Sequence, residues 1–496
     1  MSSPTTSSHI FHFISGSFRS LSLFLLAFDP ARRTIHHVQT ISTSGPHQYL
    51  ATNQHKDRIF TTSWAQPPSL QSWVLQRSTS EPWRISHLNT VPITATSSYI
   101  DIPPPFTHIY SVGGPTGEVH LVDKSTGSFG QKTQEILFVP EAELPQADKT
   151  RVALRYGSHG VESTSTPEYS LTFVPVLGTD SIEVYSRNVV SGELSHISSS
   201  PSPRGSKAHD GPRHVKVHPN GRILYCVTEH SNFVDLYEIT APNNVTPLPT
   251  LRYISSRSLL PSHLTSGDLK QFRGDTLMLA PPTHARPSPY ALFTTTRGST
   301  PATRGWLSIF ALDEEGYFAD KGQKDEKGRP LEVEIRYETA SSGGKANAID
   351  LLTKRKIPLA NRLFDEDAIA EDDDEDEDED EDEDDNDNDF GTLPHKQAHF
   401  SFGANRTKND SEEWQEDDEG VWILLTDDDE STAAGSDLTS SVGGVKILEW
   451  GGWGKQGVHV IAEWPERPPV EDVDMGVSEG EGMERMRGGS HAIWLV

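Results

Sequence analysis

Cysteine is nearly absent from this chain of 496 residues, which contains Cys226 and no other. One cysteine excludes an intramolecular disulfide and a cysteine-based metal site, so nothing in the chain requires an oxidising compartment. Long hydrophobic runs are missing too. The run LSLFLLAF at residues 21–28 is too short to span a membrane, and its flanks do not fit a signal peptide. These absences predict a soluble cytoplasmic protein with no membrane contact.

Positive charge is also scarce: 43 Lys and Arg face 72 Asp and Glu, and the net charge is −29. Residues 371–389, EDDDEDEDEDEDEDDNDND, hold 17 acidic residues among 19. Such a run repels itself and has nothing to bury, so we predict a disordered acidic insertion over residues 364–417. The charge argues against a nucleic-acid partner. The run serves either for solvation alone or as a docking segment for a basic protein.

Long amphipathic helical periodicity is hard to find, and a short alternating strand, a Gly/Asn/Asp turn and a second strand recur instead. The pattern begins at residues 21, 69, 117, 180, 232, 305 and 443, each time preceded by a candidate inner strand. Two hairpins per copy make a four-stranded sheet, and seven such sheets arranged radially make a propeller. We therefore predict an all-β fold, a single seven-bladed β-propeller over residues 9–496 with the acidic insertion in a late blade.

The last residues carry a separate signal. SHAIWLV, residues 490–496, reads as a strand with no partner beside it in sequence. Pairing of the two chain termini within one blade would close a propeller ring and supply that partner. Two separate β-sandwich domains are the competing architecture.

The stretch GPRHVKVHPNGRILYCVTEHSN, residues 211–232, reads as two strands joined at HPNG. Asn-Gly favours a two-residue type I′ turn there. Arg213 stands at the start of the first strand and Glu229 at the end of the second. Strand ends of this kind meet at the central channel of a propeller, so we expect both side chains to face a ligand. The alternative is a structural ion pair across neighbouring strands.

This stretch resembles the signature region of the seven-bladed lactonase-type propellers, which include bacterial 6-phosphogluconolactonase and fungal 3-carboxy-cis,cis-muconate cyclase. The resemblance is strongest from residue 158 to about residue 300, and the cyclase is the better match. It implies that His159 in GSHG, Arg213, Glu229 and Arg297 in TTTRGS line the central cleft. A later family segment of the type Gly-Gly-His-Ser-Asn reads GGKANAI here. Lys345 takes the place of the histidine and Asn347 is retained, and we assign both to substrate binding.

The resemblance implies an intramolecular lyase, or cycloisomerase, that lactonises a muconate in aromatic-acid catabolism without cofactor or metal. Arg213 and Arg297 would bind the carboxylates of a small anionic substrate and stabilise the charge of an enediolate-like intermediate. His159, whose pKa is expected near neutrality, would give the proton to carbon with Glu229 as its orienting partner, or the two roles would be reversed.

Two other functions stay open. A lactone hydrolase of the 6-phosphogluconolactonase type would use the same cleft with an activated water, and Lys345 would then help bind a phosphate. A non-catalytic propeller would serve as a binding scaffold, and scattered positions of the four cleft residues would favour it. In that case His159 is a turn residue and Arg297 a solvated loop residue. Three further histidines are interpreted as surface or strand residues: His214, His218 and His230.

Overall fold

A computed structural model gives the structure of the chain. It describes residues 9–205, 207–242, 248–264, 267–322, 324, 328–355, 416–428, 443–465 and 486–496. The acidic run therefore lies outside the described residues, and its disorder stays a prediction. Residues 416 and 417, at the predicted end of the insertion, belong to a β-strand.

The described residues form 28 β-strands in seven antiparallel sheets of four strands each. In chain order the strands are β1 (Phe11–Ser17), β2 (Ser22–Asp29), β3 (Thr34–Ser42), β4 (His47–Thr52), β5 (Arg58–Ser63), β6 (Ser69–Gln76), β7 (Arg84–Pro92), β8 (Tyr99–Asp101), β9 (His108–Gly113), β10 (Thr116–Val122), β11 (Phe129–Leu137), β12 (Glu162–Ser165), β13 (Ser170–Val176), β14 (Ser181–Arg187), β15 (Leu194–Pro201), β16 (Pro212–Val217), β17 (Ile223–Thr228), β18 (Phe233–Thr240), β19 (Thr250–Ser258), β20 (Phe272–Leu279), β21 (Ala291–Gly298), β22 (Trp306–Ala311), β23 (Glu334–Glu338), β24 (Ile349–Arg355), β25 (Glu416–Thr426), β26 (Val445–Trp450), β27 (His459–Trp464) and β28 (Gly489–Trp494).

Each sheet is one blade of a seven-bladed propeller, which confirms the predicted fold class. Blade 1 has the order β28-β1-β2-β3, and blades 2 to 7 use the remaining strands in groups of four, from β4–β7 to β24–β27. The innermost strands are β28, β4, β8, β12, β16, β20 and β24, and neighbouring ones pack against each other, as β28 does against β4 and β16 against β20. Within the described ranges, three short 3-10 helices lie in connections: Glu141–Glu143, Arg151–Arg155 and Leu269–Gln271. None of the helices in the described part of the chain is long and apolar enough to cross a membrane.

The ring closes through blade 1, where strands from the two ends of the chain pair. In β28, Trp494 pairs with Phe13 and Ala492 with Ser15 of β1. The ring of Trp494 packs edge-on against Phe13, with 5.4 Å between ring centroids, and is itself 1 % exposed. Burial of a large apolar side chain contributes about 2–3 kcal/mol. The predicted pairing of SHAIWLV is confirmed, and a pair of sandwich domains is excluded.

The seven recurring segments supply the third strand of every blade, and five of them also reach the fourth strand. In blade 5 the predicted segment, residues 232–248, ends just before β19. In blade 6 the fourth strand begins later than the pattern predicts. A single bridge pairs Leu312 with Phe318, and the fourth strand, β23, begins only at Glu334. The sequence 319–333 is thus an insertion within an outer hairpin.

The connection between β16 and β17 differs from the predicted type I′ turn. The amide of Gly221 donates to the carbonyl of His218 at 2.8 Å, so Pro219 and Asn220 are the central residues. Gly221 follows them in the left-handed region, with φ +74°. The prediction was wrong because Pro219 fixes a negative φ, which suits the first central position of a type I turn and excludes type I′ at these positions.

Candidate active site

Blades 5 and 6 bring four charged side chains together at one end of the central channel. Arg213 lies near the start of β16, and Glu229 follows the end of β17. In blade 6, Asp275 lies on β20 and Arg297 near the end of β21. Because inner strands start, and second strands end, at the same face of a propeller, the topology gathers these residues. We call them the ion quartet.

Within the ion quartet, each carboxylate contacts both guanidinium groups. Glu229 Oε2 lies 3.1 Å from Arg213 Nε, and Glu229 Oε1 lies 3.0 Å from Arg297 Nη2. Asp275 Oδ1 lies 2.9 Å from Arg213 Nη2 and 3.5 Å from Arg297 Nε. The ion pair between Arg213 and Glu229, which was the alternative to a ligand-facing role, is therefore present as part of a four-membered cluster that joins two blades.

Asn347 lies next to the quartet and holds Asp275 in place. The amide N–H of Asn347 donates to Asp275 Oδ2 at 2.7 Å, and the side-chain amide of Asn347 donates to the carbonyl of Thr296 at 2.9 Å. Both residues are 1 % exposed. The structure thus places Asn347 behind Asp275, where it fixes a carboxylate, and its assignment to substrate binding stays a prediction.

Lys345 belongs to a neighbouring ion cluster. Its Nζ lies 3.2 Å from Asp428 Oδ2, and its backbone N–H donates to the same oxygen at 3.2 Å. Arg19 Nε lies 2.9 Å from Asp428 Oδ1. The Lys345 ammonium group contacts Asp428, and Asn347, two residues later, contacts Asp275 of the ion quartet. One short segment therefore connects the two ion clusters.

His159 is buried beside the quartet and contacts another histidine. Its Nδ1 lies 3.1 Å from Nε2 of His214, whose Nδ1 lies 3.3 Å from Thr276 Oγ1. Arg213 Nη1 lies 3.3 Å from His214 Nε2 and completes the connection to the quartet. The expected pairing of His159 with Glu229 is not among the contacts of the described residues. His214 does lie on a strand, as expected, but it is buried at the channel rather than on the surface.

Burial and the two guanidinium groups set the protonation of this site. Burial, followed by Arg213 and Arg297, lowers the pKa of His159 well below its ordinary value. Burial raises the pKa of Glu229, but Arg297 and Arg213 outweigh it and bring that pKa below the usual range. Near neutral pH His159 is therefore neutral and Glu229 is a carboxylate. This differs from the expectation that His159 titrates near neutrality.

An aromatic cluster borders His214 inside the channel. The Tyr49 ring stacks between Tyr99 and His491, with 3.8 Å between centroids on each side. The Tyr49 hydroxyl donates to the Tyr99 hydroxyl at 2.8 Å. Tyr99 meets the His214 ring edge-on at 5.0 Å. These buried rings keep water from one side of the site, which strengthens the electrostatic interactions there.

Sequence reasoning missed His214, Asp275 and Thr276, and β-bulges explain why. The register of β16 shifts between Pro212 and His214, and that of β20 shifts between Gly274 and Leu277. The same kind of shift occurs in β4 and β28 at the level of the aromatic cluster. A bulge re-aims a side chain that simple alternation would send to the other face of a strand.

The described residues contain no group of three or more His, Cys, Asp or Glu side chains arranged to hold a metal ion. The carboxylates of the quartet contact guanidinium groups instead. The arrangement is suited to binding and polarising a carboxylate or another planar anion, because guanidinium groups bind such groups through two parallel hydrogen bonds.

A comparison with known protein families agrees with this architecture. Residues 13–271 match the family model described as "Lactonase, 7-bladed beta-propeller". "Muconate cycloisomerase 1" of Cutaneotrichosporon cutaneum is 27 % identical over 339 residues, which cover 68 % of this chain and 82 % of that protein. A "6-phosphogluconolactonase" of Pectobacterium atrosepticum is 29 % identical over 161 residues, 32 % of this chain and 42 % of that protein. The solved structure of the periplasmic gluconolactonase PpgL of Pseudomonas aeruginosa is 18 % identical, covers 65 % of this chain and 85 % of that one, and has a TM-score of 0.48.

Proposed function

Since the chain belongs to the seven-bladed β-propeller lactonase family, we propose that it is a cycloisomerase that lactonises 3-carboxy-cis,cis-muconate or a similar muconate in aromatic-acid catabolism. One observation carries the proposal: Arg213 and Arg297 converge on one carboxylate position at the channel mouth. The relative named as a muconate cycloisomerase, which spans two thirds of this chain, supports the choice of substrate class.

The proposed reaction is an internal addition. A carboxylate oxygen of the substrate attacks a conjugated double bond and closes a five-membered lactone, while a neighbouring carbon receives a proton. Negative charge develops on an enediolate-like intermediate, and Arg213 and Arg297 would stabilise it. His159 and Glu229 are the two candidate proton donors. The product carries one negative charge fewer than the substrate, because the attacking carboxylate becomes an ester.

A lactone hydrolase is the second candidate, supported by the relatives named 6-phosphogluconolactonase. The same two arginines would polarise a lactone carbonyl while a water attacks it. Lys345, whose side chain is 38 % exposed and pairs with Asp428, would help bind a phosphate in this candidate. The clustering of Arg213, Glu229 and Arg297 favours either enzyme over a non-catalytic scaffold.

Two further expectations accompany the proposal. We place the enzyme in the cytoplasm because its one cysteine requires no oxidising compartment. We also propose that the acidic run docks a basic protein or serves for solvation. Arg355 and Glu416, which flank residues 356–415, are partners in the backbone register of β24 and β25, at the end of blade 7 opposite Asn347.

The test is the loss of diene absorbance when purified protein is mixed with 3-carboxy-cis,cis-muconate. We expect Arg213→Ala and Arg297→Ala to lower kcat/KM by at least about 100-fold, since each removes a group aimed at developing charge. Arg252→Ala is the control, because Arg252 pairs with Glu238 on outer strands and is 62 % exposed. Absence of diene loss together with hydrolysis of 6-phosphogluconolactone would favour the second candidate. Absence of both activities would reject both enzymes.

A further inference from the structure

The carboxylate position between Arg213 and Arg297 is filled by a side chain of the protein itself. Glu229 contacts one guanidinium with each of its two oxygens, at 3.1 Å and 3.0 Å. This is the bridging geometry that a bound substrate carboxylate would adopt. The protein thus holds an internal carboxylate where the proposed function requires an external one.

Charge within the ion quartet is balanced, with two guanidinium groups and two carboxylates. A third carboxylate can bind there only if one of the resident carboxylates leaves or loses its charge. Asp275 is the less exchangeable of the two, since its side chain is 1 % exposed and Asn347 N–H holds its second oxygen. The Glu229 side chain is 14 % exposed, and its backbone is fixed on both sides by hydrogen bonds with Gly211 and Gly274. Glu229 is therefore the carboxylate that can move.

We propose that a substrate carboxylate displaces Glu229 from Arg213 and Arg297, and that the displaced Glu229 takes up a proton and becomes the acid that protonates the substrate carbon. This inference rests on the proposed function and assigns one of its two candidate proton donors. In this scheme Glu229 becomes an acid only after substrate binds, and it carries no transferable proton while the channel is empty.

The electrostatics of Glu229 support this exchange. Burial pushes its pKa up, and the opposing effects of Arg297 and Arg213 keep it low. Once a substrate carboxylate satisfies both guanidinium groups, burial is the larger effect and the pKa rises. Arg273 on β20 and the adjacent His230 also act on Glu229, and Asp275 and His159 interact with the same two guanidinium groups. Arg273 and His230 lower the pKa of Glu229 less than the two quartet arginines do.

The proton balance of lactonisation closes with this assignment. Glu229 takes one proton from solvent on binding and gives it to the carbon next to the new C–O bond. It is then a carboxylate again and can return to Arg213 and Arg297. The attacking carboxylate has meanwhile become an ester, so the product as a whole carries one negative charge fewer than the substrate and is attracted less strongly by the two guanidinium groups.

The test uses adipate, a saturated six-carbon diacid that cannot lactonise, so its outcome is independent of turnover. Calorimetric titration of the full-length protein at pH 7, in buffers of different ionisation enthalpy, counts the protons exchanged on binding. The carboxyl groups of adipate, with pKa values of about 4–5, stay ionised between pH 7 and pH 8.5. We expect close to one proton taken up per adipate bound, and a Kd that rises about tenfold per pH unit in that range.

Glu229→Gln removes both the competing charge and the acid. We expect this variant to bind adipate more tightly than wild type at pH 7, without proton uptake and with a Kd independent of pH. A purely structural Glu229 would give the opposite sign, weaker binding in the variant. Glu183→Gln is the matched control, because Glu183 has the same 14 % exposure but pairs with His196 on outer strands; its proton uptake should equal that of wild type. Weaker binding by Glu229→Gln, absence of proton uptake in wild type, or absence of adipate binding would each overturn the exchange.

Discussion

Asp275→Asn is the substitution that tests the ion quartet most severely. The variant keeps an oxygen to accept the Asn347 N–H but removes the charge that faces Arg213 and Arg297. These two guanidinium groups are 6 % and 20 % exposed, so water cannot replace the lost carboxylate. Removing one partner of a buried ion pair costs about 3–5 kcal/mol, and we expect the lower end, about 3 kcal/mol, because Glu229 still neutralises one of the two charges.

Asp428→Asn provides the comparison. Asp428 is as buried as Asp275, and it also pairs with two cations, Arg19 and Lys345. Those partners are 31 % and 38 % exposed, so solvent can reach them, and the expected loss is about 1 kcal/mol or less. Urea unfolding of both variants, followed by tryptophan fluorescence, measures the difference. Equal losses in the two variants, or a loss below about 1 kcal/mol for Asp275→Asn, would refute the argument that burial of the cations sets the cost.

Two further predictions concern the rest of the propeller. His47 is buried, and burial lowers its pKa to about 4, so the folded state keeps it neutral below the ordinary value of 6.5. The unfolded state therefore takes up a proton at His47 before the folded state does, and the free energy of unfolding falls by about 3 kcal/mol as the pH drops from 6.5 towards 4. Urea midpoints measured between pH 7 and pH 4 should fall in wild type and fall less in His47→Gln. Parallel curves for the two proteins would contradict this prediction. Truncation before Gly489 removes β28 and leaves β1 as an unpaired edge, so we expect insoluble protein, whereas removal of Val496 alone should leave circular dichroism and solubility unchanged. A soluble truncated protein with the wild-type spectrum would show that the ring does not depend on closure by β28.

The propeller could be predicted because its signal is repeated. Seven copies of one strand–turn–strand pattern fix the number of blades, and the unpaired terminal strand at residues 490–496 predicts closure with the N-terminal strand. Each copy is recognised from the local alternation of apolar and polar residues, which can be read from a single sequence. The insertion in blade 6 was not predicted, because Tyr317 and Phe318 continue the pattern of a second strand directly after β22, whereas β23 begins only at Glu334.

The site was only partly predictable, for a physical reason. Arg213, Glu229 and Arg297 stand at strand ends, and topology alone brings them to one face. His214 and Asp275 reach the same place through bulges in β16 and β20, and a bulge breaks the alternation on which sequence reasoning depends. The low pKa of His159 was missed for a related reason, since it depends on burial beside two guanidinium groups from two other blades.

The most direct test of the central claim, that Arg213 and Arg297 form the carboxylate-binding site, is a crystal structure of the protein with adipate. The predicted result is an adipate carboxylate within hydrogen-bonding distance of Arg213 Nε and Arg297 Nη2, with the Glu229 side chain turned away from both. A structure in which Glu229 still bridges the two guanidinium groups while adipate binds elsewhere would contradict the claim.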